Sequence, residues 1–175
     1  MGMSGSKPVG TPGVKVTSEQ LAEDRDLSHQ RQRPYRGVAA RANYLSADRP
    51  DMQHAAKEVC RWMSTPTETA LLALKRVGRY LEGHTRLVYR YDFQEATQID
   101  CYSDTDWAGC PRTRRSTSGG CLMLGQHLIK SWSTTQVPIS LSSGEAEFYG
   151  VVKASSVALG YQAMMEDLGL KMAVR

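Results

Sequence analysis

What is missing from this chain excludes more than its composition suggests. No run of eighteen apolar residues occurs, so no membrane-spanning helix and no membrane partner are expected. The N-terminal stretch, with Lys7, Pro8, Gly10, Pro12 and Gly13, lacks the apolar core of a secretory signal, so secretion is not expected. Cysteine is scarce. Cys60, Cys101, Cys110 and Cys121 form no Cys-x-x-Cys pair, which argues against a zinc cluster and for free thiols in a reducing compartment. No Gly-x-Ser-x-Gly elbow surrounds Ser142 or Ser143, which leaves His127 without a nucleophile to serve and excludes a serine-hydrolase triad. Gly119-Gly120 has no helix behind it, so it is a strand-packing pair and not a phosphate loop. Neither sign of charge dominates: 22 Lys and Arg face 18 Asp and Glu, and a net charge of +4 permits nucleic-acid contact without demanding it.

What is present supports a core, since 41% of the 175 residues are apolar, enough for one domain with additional segments. Residues 1–34 are rich in Gly, Ser, Pro, Gln and charge. They are expected to be a disordered linker or tail, because they cannot bury enough apolar surface to offset their ordering entropy. Residues 35–86 read as a helical segment. Val38, Ala39, Ala42 and Leu45 recur at helical spacing, and Pro50 suits the first turn of a helix carrying Met52, Ala55, Ala56, Val59, Trp62 and Met63. A third helix places Leu71, Leu74, Val77, Gly78 and Leu81 on one face and stops at Gly83, with Lys75, Arg76 and Arg79 on the other face. Those cations read first as a solvated face and second as a phosphate-contacting track.

From residue 87 the pattern changes to strands. Leu87–Tyr91 alternates, Gln98–Asp104 follows a polar break, Ser118–Leu124 is Gly-rich, and Gly125-Gln126 makes a hairpin into His127–Trp132. Ser142, with Glu145 three residues on, opens a long helix through a capping box. That helix persists to Leu168 and stops at Gly169, and Met172–Val174 opens another strand. Periodicity alone gives a small-sheet α+β or α/β domain.

Five carboxylates compete for a chemical role: Asp100, Asp104, Asp106, Glu145 and Glu147. Glu145 already has structural work as the cap partner. Glu147 lies about 200° further round the helix, on the face of small residues with Gly150, Val151, Ala154 and Ala158. A carboxylate turned toward a sheet is costly unless it meets a cation, which singles out Glu147 as a metal ligand.

Two stretches carry a resemblance, Ile99-Asp-Cys-Tyr-Ser-Asp-Thr-Asp-Trp-Ala-Gly and Leu141-Ser-Ser-Gly-Glu-Ala-Glu-Phe-Tyr-Gly. Between them lie Arg115-Ser-Thr-Ser-Gly-Gly, Leu124-Gly and Ile129-Lys-Ser-Trp. In order and spacing they resemble the RNase H domain of copia-type LTR retrotransposon Pol polyproteins. Tyr44-Leu-Ser-Ala-Asp-Arg-Pro-Asp and Leu74-Lys-Arg-Val-Gly-Arg-Tyr-Leu-Glu-Gly resemble the segment that joins reverse transcriptase to RNase H. The resemblance implies an RNase H-like mixed sheet whose first three strands are antiparallel, with a long helix. In this chain it would be incomplete at the C-terminus, with residues 87–175 its leading part. It implies Asp104 and Glu147 as catalytic residues and metal ligands, with Asp106 as an accessory charge. It also implies two Mg²⁺ or Mn²⁺ ions, one helping to generate the attacking hydroxide and the other stabilising the leaving 3′ oxygen. The implied partners are an RNA–DNA hybrid, touched by Trp107, Arg112, Arg114 and Arg115, and the rest of the Pol polyprotein, with reverse transcriptase upstream. The implied setting is a cytoplasmic virus-like particle or the nucleus. The family's further aspartates lie on later elements, so the chain by itself is expected to be inactive. The alternative is a non-catalytic nucleic-acid-binding or relic structural module derived from a retroelement.

Overall fold

The computed structural model describes residues 5–175, which divide into two units at Val88 and Tyr89. The first unit is helical: α1 (Ser18–Ala22), α2 (His29–Leu45), a 3-10 turn at Pro50–Met52 that runs into α3 (Gln53–Cys60), and α4 (Glu68–Gly83). Pro50 occupies the first turn, where its missing N–H costs nothing. Tyr35, Ala39 and Ala42 of α2 meet Met52, Ala55, Ala56 and Val59, and Ala70, Leu71, Leu74 and Val77 of α4 complete one apolar cluster. Tyr35 Oη donates to Val59 O at 2.6 Å, and burial pushes its phenol well above the ordinary tyrosine range. Thr67 caps α4 by accepting from the Ala70 N–H.

The tail expected to run to Pro34 needs correction at its C-terminal part. The helix begins at His29 and carries Pro34 inside it, Leu27 is buried, and the preceding residues are tied to the start of α4. The Leu27 N–H donates to Pro66 O, Glu68 N–H to Arg25 O, and Thr69 N–H to Asp24 Oδ1. Pro34 removes one helical hydrogen bond, but burying Leu27 and Tyr35 on either side of it outweighs that loss. Further upstream, residues 7–13 are held along α4 by Arg76 and Arg79. Residues 1–4 of the expected tail lie outside the described residues.

The second unit is the mixed sheet, in the order β3-β2-β1-β4, and its arrangement is RNase H-like. Strands β1 (Gln98–Asp106), β2 (Thr117–Leu124) and β3 (His127–Thr135) form an antiparallel meander, and β4 (Ala173–Val174) returns parallel to β1. Gly125 takes φ +57° at the hairpin turn, a conformation that glycine adopts without strain. Between β3 and β4 runs α5 (Ser143–Asp167), which ends at Gly169 with φ +80°. Its inner face packs on Ile99 and Leu122 through Ala158, with Cys101, Leu124, Tyr161 and Met165 around them.

One expected strand is absent. Leu87–Tyr91 forms no ladder, and Val88 is 83% exposed. The chain here is fastened by single side chains instead: the Tyr91 hydroxyl donates to Leu128 O, and beyond the stretch Gln94 Nε2 donates to Leu124 O while its Oε1 accepts from Gln126 N–H.

Candidate metal centre and nucleic-acid face

Close approach of α5 to the sheet follows from its sequence. Ala146, Gly150, Ala154 and Ala158 recur every fourth residue and are buried. At Gly150 an added Cβ would stand 2.5 Å from Thr105 Oγ1 and 3.2 Å from Ser103 Oγ. Ser103 and Thr105 therefore face α5, and strand alternation sends Tyr102, Asp104 and Asp106 to the opposite face, where all three are exposed. The small-residue face expected to include Glu147 and Val151 is built on Ala146 instead. Glu147 flanks it half-buried, and Val151 is exposed. The cause is a one-residue rotation: the Ala146–Gly150–Ala154 line centres the helix on the strand, and Glu147 sits about 100° off that line.

The entry to α5 is fixed by a node that sequence reading missed. Buried Gln136 donates from Nε2 to Ser118 Oγ at 2.9 Å and to Ala146 O at 2.8 Å, and its Oε1 accepts from Ser140 Oγ at 3.1 Å. Trp107 Nε1 donates to Ser140 O at 3.1 Å, so the indole is half-exposed yet anchored. A single glutamine after a strand that ends in polar residues gives almost no signal in sequence. Its importance follows from the burial. The N-cap takes a variant of the expected box: Ser142 Oγ accepts from Glu145 N–H at 3.1 Å, and the Glu145 carboxylate accepts from Leu141 N–H, one residue earlier than Ser142, at 2.7 Å.

Beyond Asp106 the chain turns sharply. Ala108 adopts φ +51° with its N–H donating to buried Ser116 Oγ, and the Asp106 carboxylate lies against Gly109, leaving no room there for a Cβ. Cys110 N–H donates to Arg115 O and Arg114 N–H to Cys110 O, closing a tight loop that displays Arg112, Arg114 and Arg115. The four cysteines form no disulfide. Burial raises the Cys101 thiol under α5, where its Sγ lies 3.6 Å from Ala154 O.

The hydroxyls of Ser103 and Thr105 and the Trp132 Nε1 are buried without a hydrogen-bond partner among the described residues. Gly150→Ala therefore pushes a methyl onto an already unsatisfied Thr105, and the expected cost is about 1–3 kcal/mol of stability by overpacking. Adding Thr105→Ala should recover most of it, because no hydrogen bond is lost. Chemical denaturation of both variants checks this, and an unperturbed Gly150→Ala would contradict the close approach.

Asp104 and Glu147 offer the hard carboxylate oxygens that Mg²⁺ prefers. Asp104 stands near the end of β1 and Glu147 in the first turns of α5, and Asp106 is turned onto its own loop. Among the described residues no group of three or more His, Cys, Asp or Glu could hold a metal ion. The residues present do not by themselves fit a two-metal centre.

The deciding observation is similarity along nearly the whole chain. The retrovirus-related Pol polyprotein from transposon RE1 of Arabidopsis thaliana is 33% identical over 95% of this chain. A secreted RxLR effector protein of Plasmopara viticola is 35% identical over 72% of this chain and 89% of its own length. The chain is thus related to retrotransposon Pol polyproteins. It spans 11% of the RE1 polyprotein, and 60% of an uncharacterized mitochondrial protein of Arabidopsis thaliana that is 37% identical over 84% of this chain. No protein-family model and no solved structure matches it. This relative of the Pol polyproteins places its antiparallel meander, its parallel fourth strand and its long helix in the RNase H-like order.

Proposed function

We propose that this chain is the connection segment and leading part of the RNase H-type domain of a retrotransposon Pol polyprotein. In that reading the intact domain hydrolyses the RNA strand of an RNA–DNA hybrid, with Asp104 and Glu147 among its carboxylates. The observation that carries it is the colinear match of 95% of the chain to the RE1 Pol polyprotein. Local geometry supports a role for the exposed sheet face: Asp104 pairs with Gly119, which pairs with Ser133, so little bulk stands beside the carboxylate. Trp107 and the Arg112–Arg115 loop border the same end of β1 and suit a polyanionic partner.

A divalent-metal nuclease of this type needs more negative charge than two carboxylates supply, because two cations a few ångströms apart repel strongly. In that reading a longer Pol segment supplies the remaining ligands. The chain alone, mixed with a labelled RNA–DNA hybrid and Mg²⁺ or Mn²⁺, is therefore expected to give no cleavage. Metal-dependent cleavage that disappears in Asp104→Asn would overturn this. The second reading is a non-catalytic nucleic-acid-binding module, favoured by the lack of a three-ligand cluster among the described residues. A longer Pol segment that contains these residues and binds hybrid without ever cutting it would support that reading.

A further inference from the structure

The four hydrogen bonds that hold residues 7–13 against α4 all use two arginines. Arg76 donates from Nε to Thr11 O and to Gly13 O, both at 3.1 Å, and from Nη2 to Thr11 Oγ1 at 2.8 Å; Arg79 donates from Nε to Lys7 O at 2.7 Å. Every one of these acceptors is neutral. The strap contributes no charge to offset the guanidiniums, for residues 5–16 contain Lys7 and Lys15 and no carboxylate. Its apolar anchoring is slight: none of residues 5–16 is buried, and its nearest packing is Pro8 against Gly83. A basic strap on a basic helix face, fastened by cations to carbonyl oxygens, is an arrangement that an anion can displace. Hydrogen bonds from a guanidinium to an ionised oxygen are roughly twice as strong as those to a neutral one.

We propose that residues 7–13 are a detachable cover over a phosphate-binding track on α4, in which Arg76 and Arg79 exchange the strap's carbonyls for phosphodiester oxygens of a nucleic acid. The distribution of charge along the chain fits this. Residues 1–88 hold fourteen Lys and Arg against nine Asp and Glu, while residues 89–175 hold eight against nine, so the cationic excess lies in the helical unit that carries the track. Once released, Lys7 and Lys15 add to the same field instead of opposing it. The identity of the partner as an RNA–DNA hybrid rests on the functional reading above. The cover and the track do not depend on catalysis.

The test pins the strap in the 175-residue chain. An added Cβ at Gly83 would lie 2.9 Å from Pro8 Cβ, under the roughly 3.5–4.5 Å that a disulfide spans, and the unburied strap has room to yield that difference, so Pro8→Cys with Gly83→Cys gives a strap locked on oxidation and freed by dithiothreitol. Binding of a fluorescein-labelled RNA–DNA hybrid is followed by anisotropy without divalent ions, from about 50 to about 200 mM salt. The reduced form is expected to bind at least tenfold tighter than the oxidised form. Its log–log salt slope should be steeper by about two, one unit for each phosphate neutralised. Adding Arg76→Ala and Arg79→Ala to the reduced form should return both readouts to the oxidised values. Equal binding in both redox states overturns the cover. A reduced-state gain that survives the arginine substitutions overturns the track. Absence of binding in every form overturns both, and none of these outcomes bears on whether a longer segment cleaves.

Discussion

Asp104→Asn and Glu147→Gln, each placed in a Pol segment that continues past residue 175, are expected to lose hybrid cleavage by about a thousandfold or more, while Glu145→Ala keeps it. Each amide preserves the shape of its side chain and removes one negative charge. Losing a metal-holding charge forfeits several kcal/mol of transition-state stabilisation, and every 1.4 kcal/mol or so is tenfold in rate. Glu145 is engaged elsewhere: its carboxylate holds Leu141 N–H and its own N–H bonds Ser142 Oγ, so it serves the helix start. Its loss should cost about 0.5–2 kcal/mol of stability, as the loss of other capping contacts does. Single-turnover cleavage and denaturant titration on the same three variants separate the effects. If Glu145→Ala and Glu147→Gln lost activity equally at unchanged stability, the division of labour between the two glutamates would be wrong.

The largest stability effect is expected at Asp51. Arg49 is only 6% exposed and reaches Asp51 in a fork, Nε to Oδ1 at 2.9 Å and Nη2 to Oδ2 at 2.7 Å, while Tyr80 Oη donates to Oδ2 at 2.7 Å. The Arg49 fork holds the Asp51 carboxyl below its ordinary range, and the hydrogen bond to Asp51 raises the Tyr80 phenol. Asp51→Ala strands a buried guanidinium, which costs about 3–5 kcal/mol. Because domains are typically stable by only about 5–15 kcal/mol, the helical unit should then be near unfolding. Arg49→Met should cost less, since it replaces the buried charge with an apolar side chain of similar length. The pH dependence has a definite sign. A depressed carboxylate pKa stabilises above the unfolded-state value of about 3.9, and that contribution disappears as pH falls through the lower folded-state value. Wild-type stability should therefore drop in acid, and the drop should be shallower in Asp51→Ala; parallel acid limbs would contradict the assignment.

The hairpin at Gly125, the capped start of α5 and its stop at Gly169 were legible because each has a local cause, a turn glycine or a cap, whereas the sheet order came from the family resemblance and not from periodicity. Four features were not legible. Pro34 marks a boundary by its own chemistry, yet it sits within α2 because tertiary burial of Leu27 and Tyr35 overrides it. Leu87–Tyr91 alternates without a neighbouring strand to pair with, and alternation cannot reveal whether a partner exists. At the candidate site, residue types pointed to Asp104 and Glu147. Their directions depend on which side of β1 receives the helix, and the packing of Gly150 on Thr105 decides that. Gln136 was invisible for a related reason: its three partners come from β2, the β3–α5 loop and α5.

The parallel pairing of β1 with β4 also governs the order in which the sheet assembles. β1, β2 and β3 are joined by short connections and can zip up locally, whereas Gln98 and Ile99 meet Ala173 and Val174 only after α5 has traversed the sheet. Closing so long a loop costs chain entropy before any contact repays it. The return for that closure is a two-residue ladder, extended by Arg175 N–H to Ile99 O and Cys101 N–H to Arg175 O. This seam is accordingly the last part of the second unit to form and the first to open. Past Cys101 the β4 side of β1 carries no ladder among the described residues, so when the seam opens that whole edge of β1 is left without a neighbouring strand, the kind of edge that pairs with other chains.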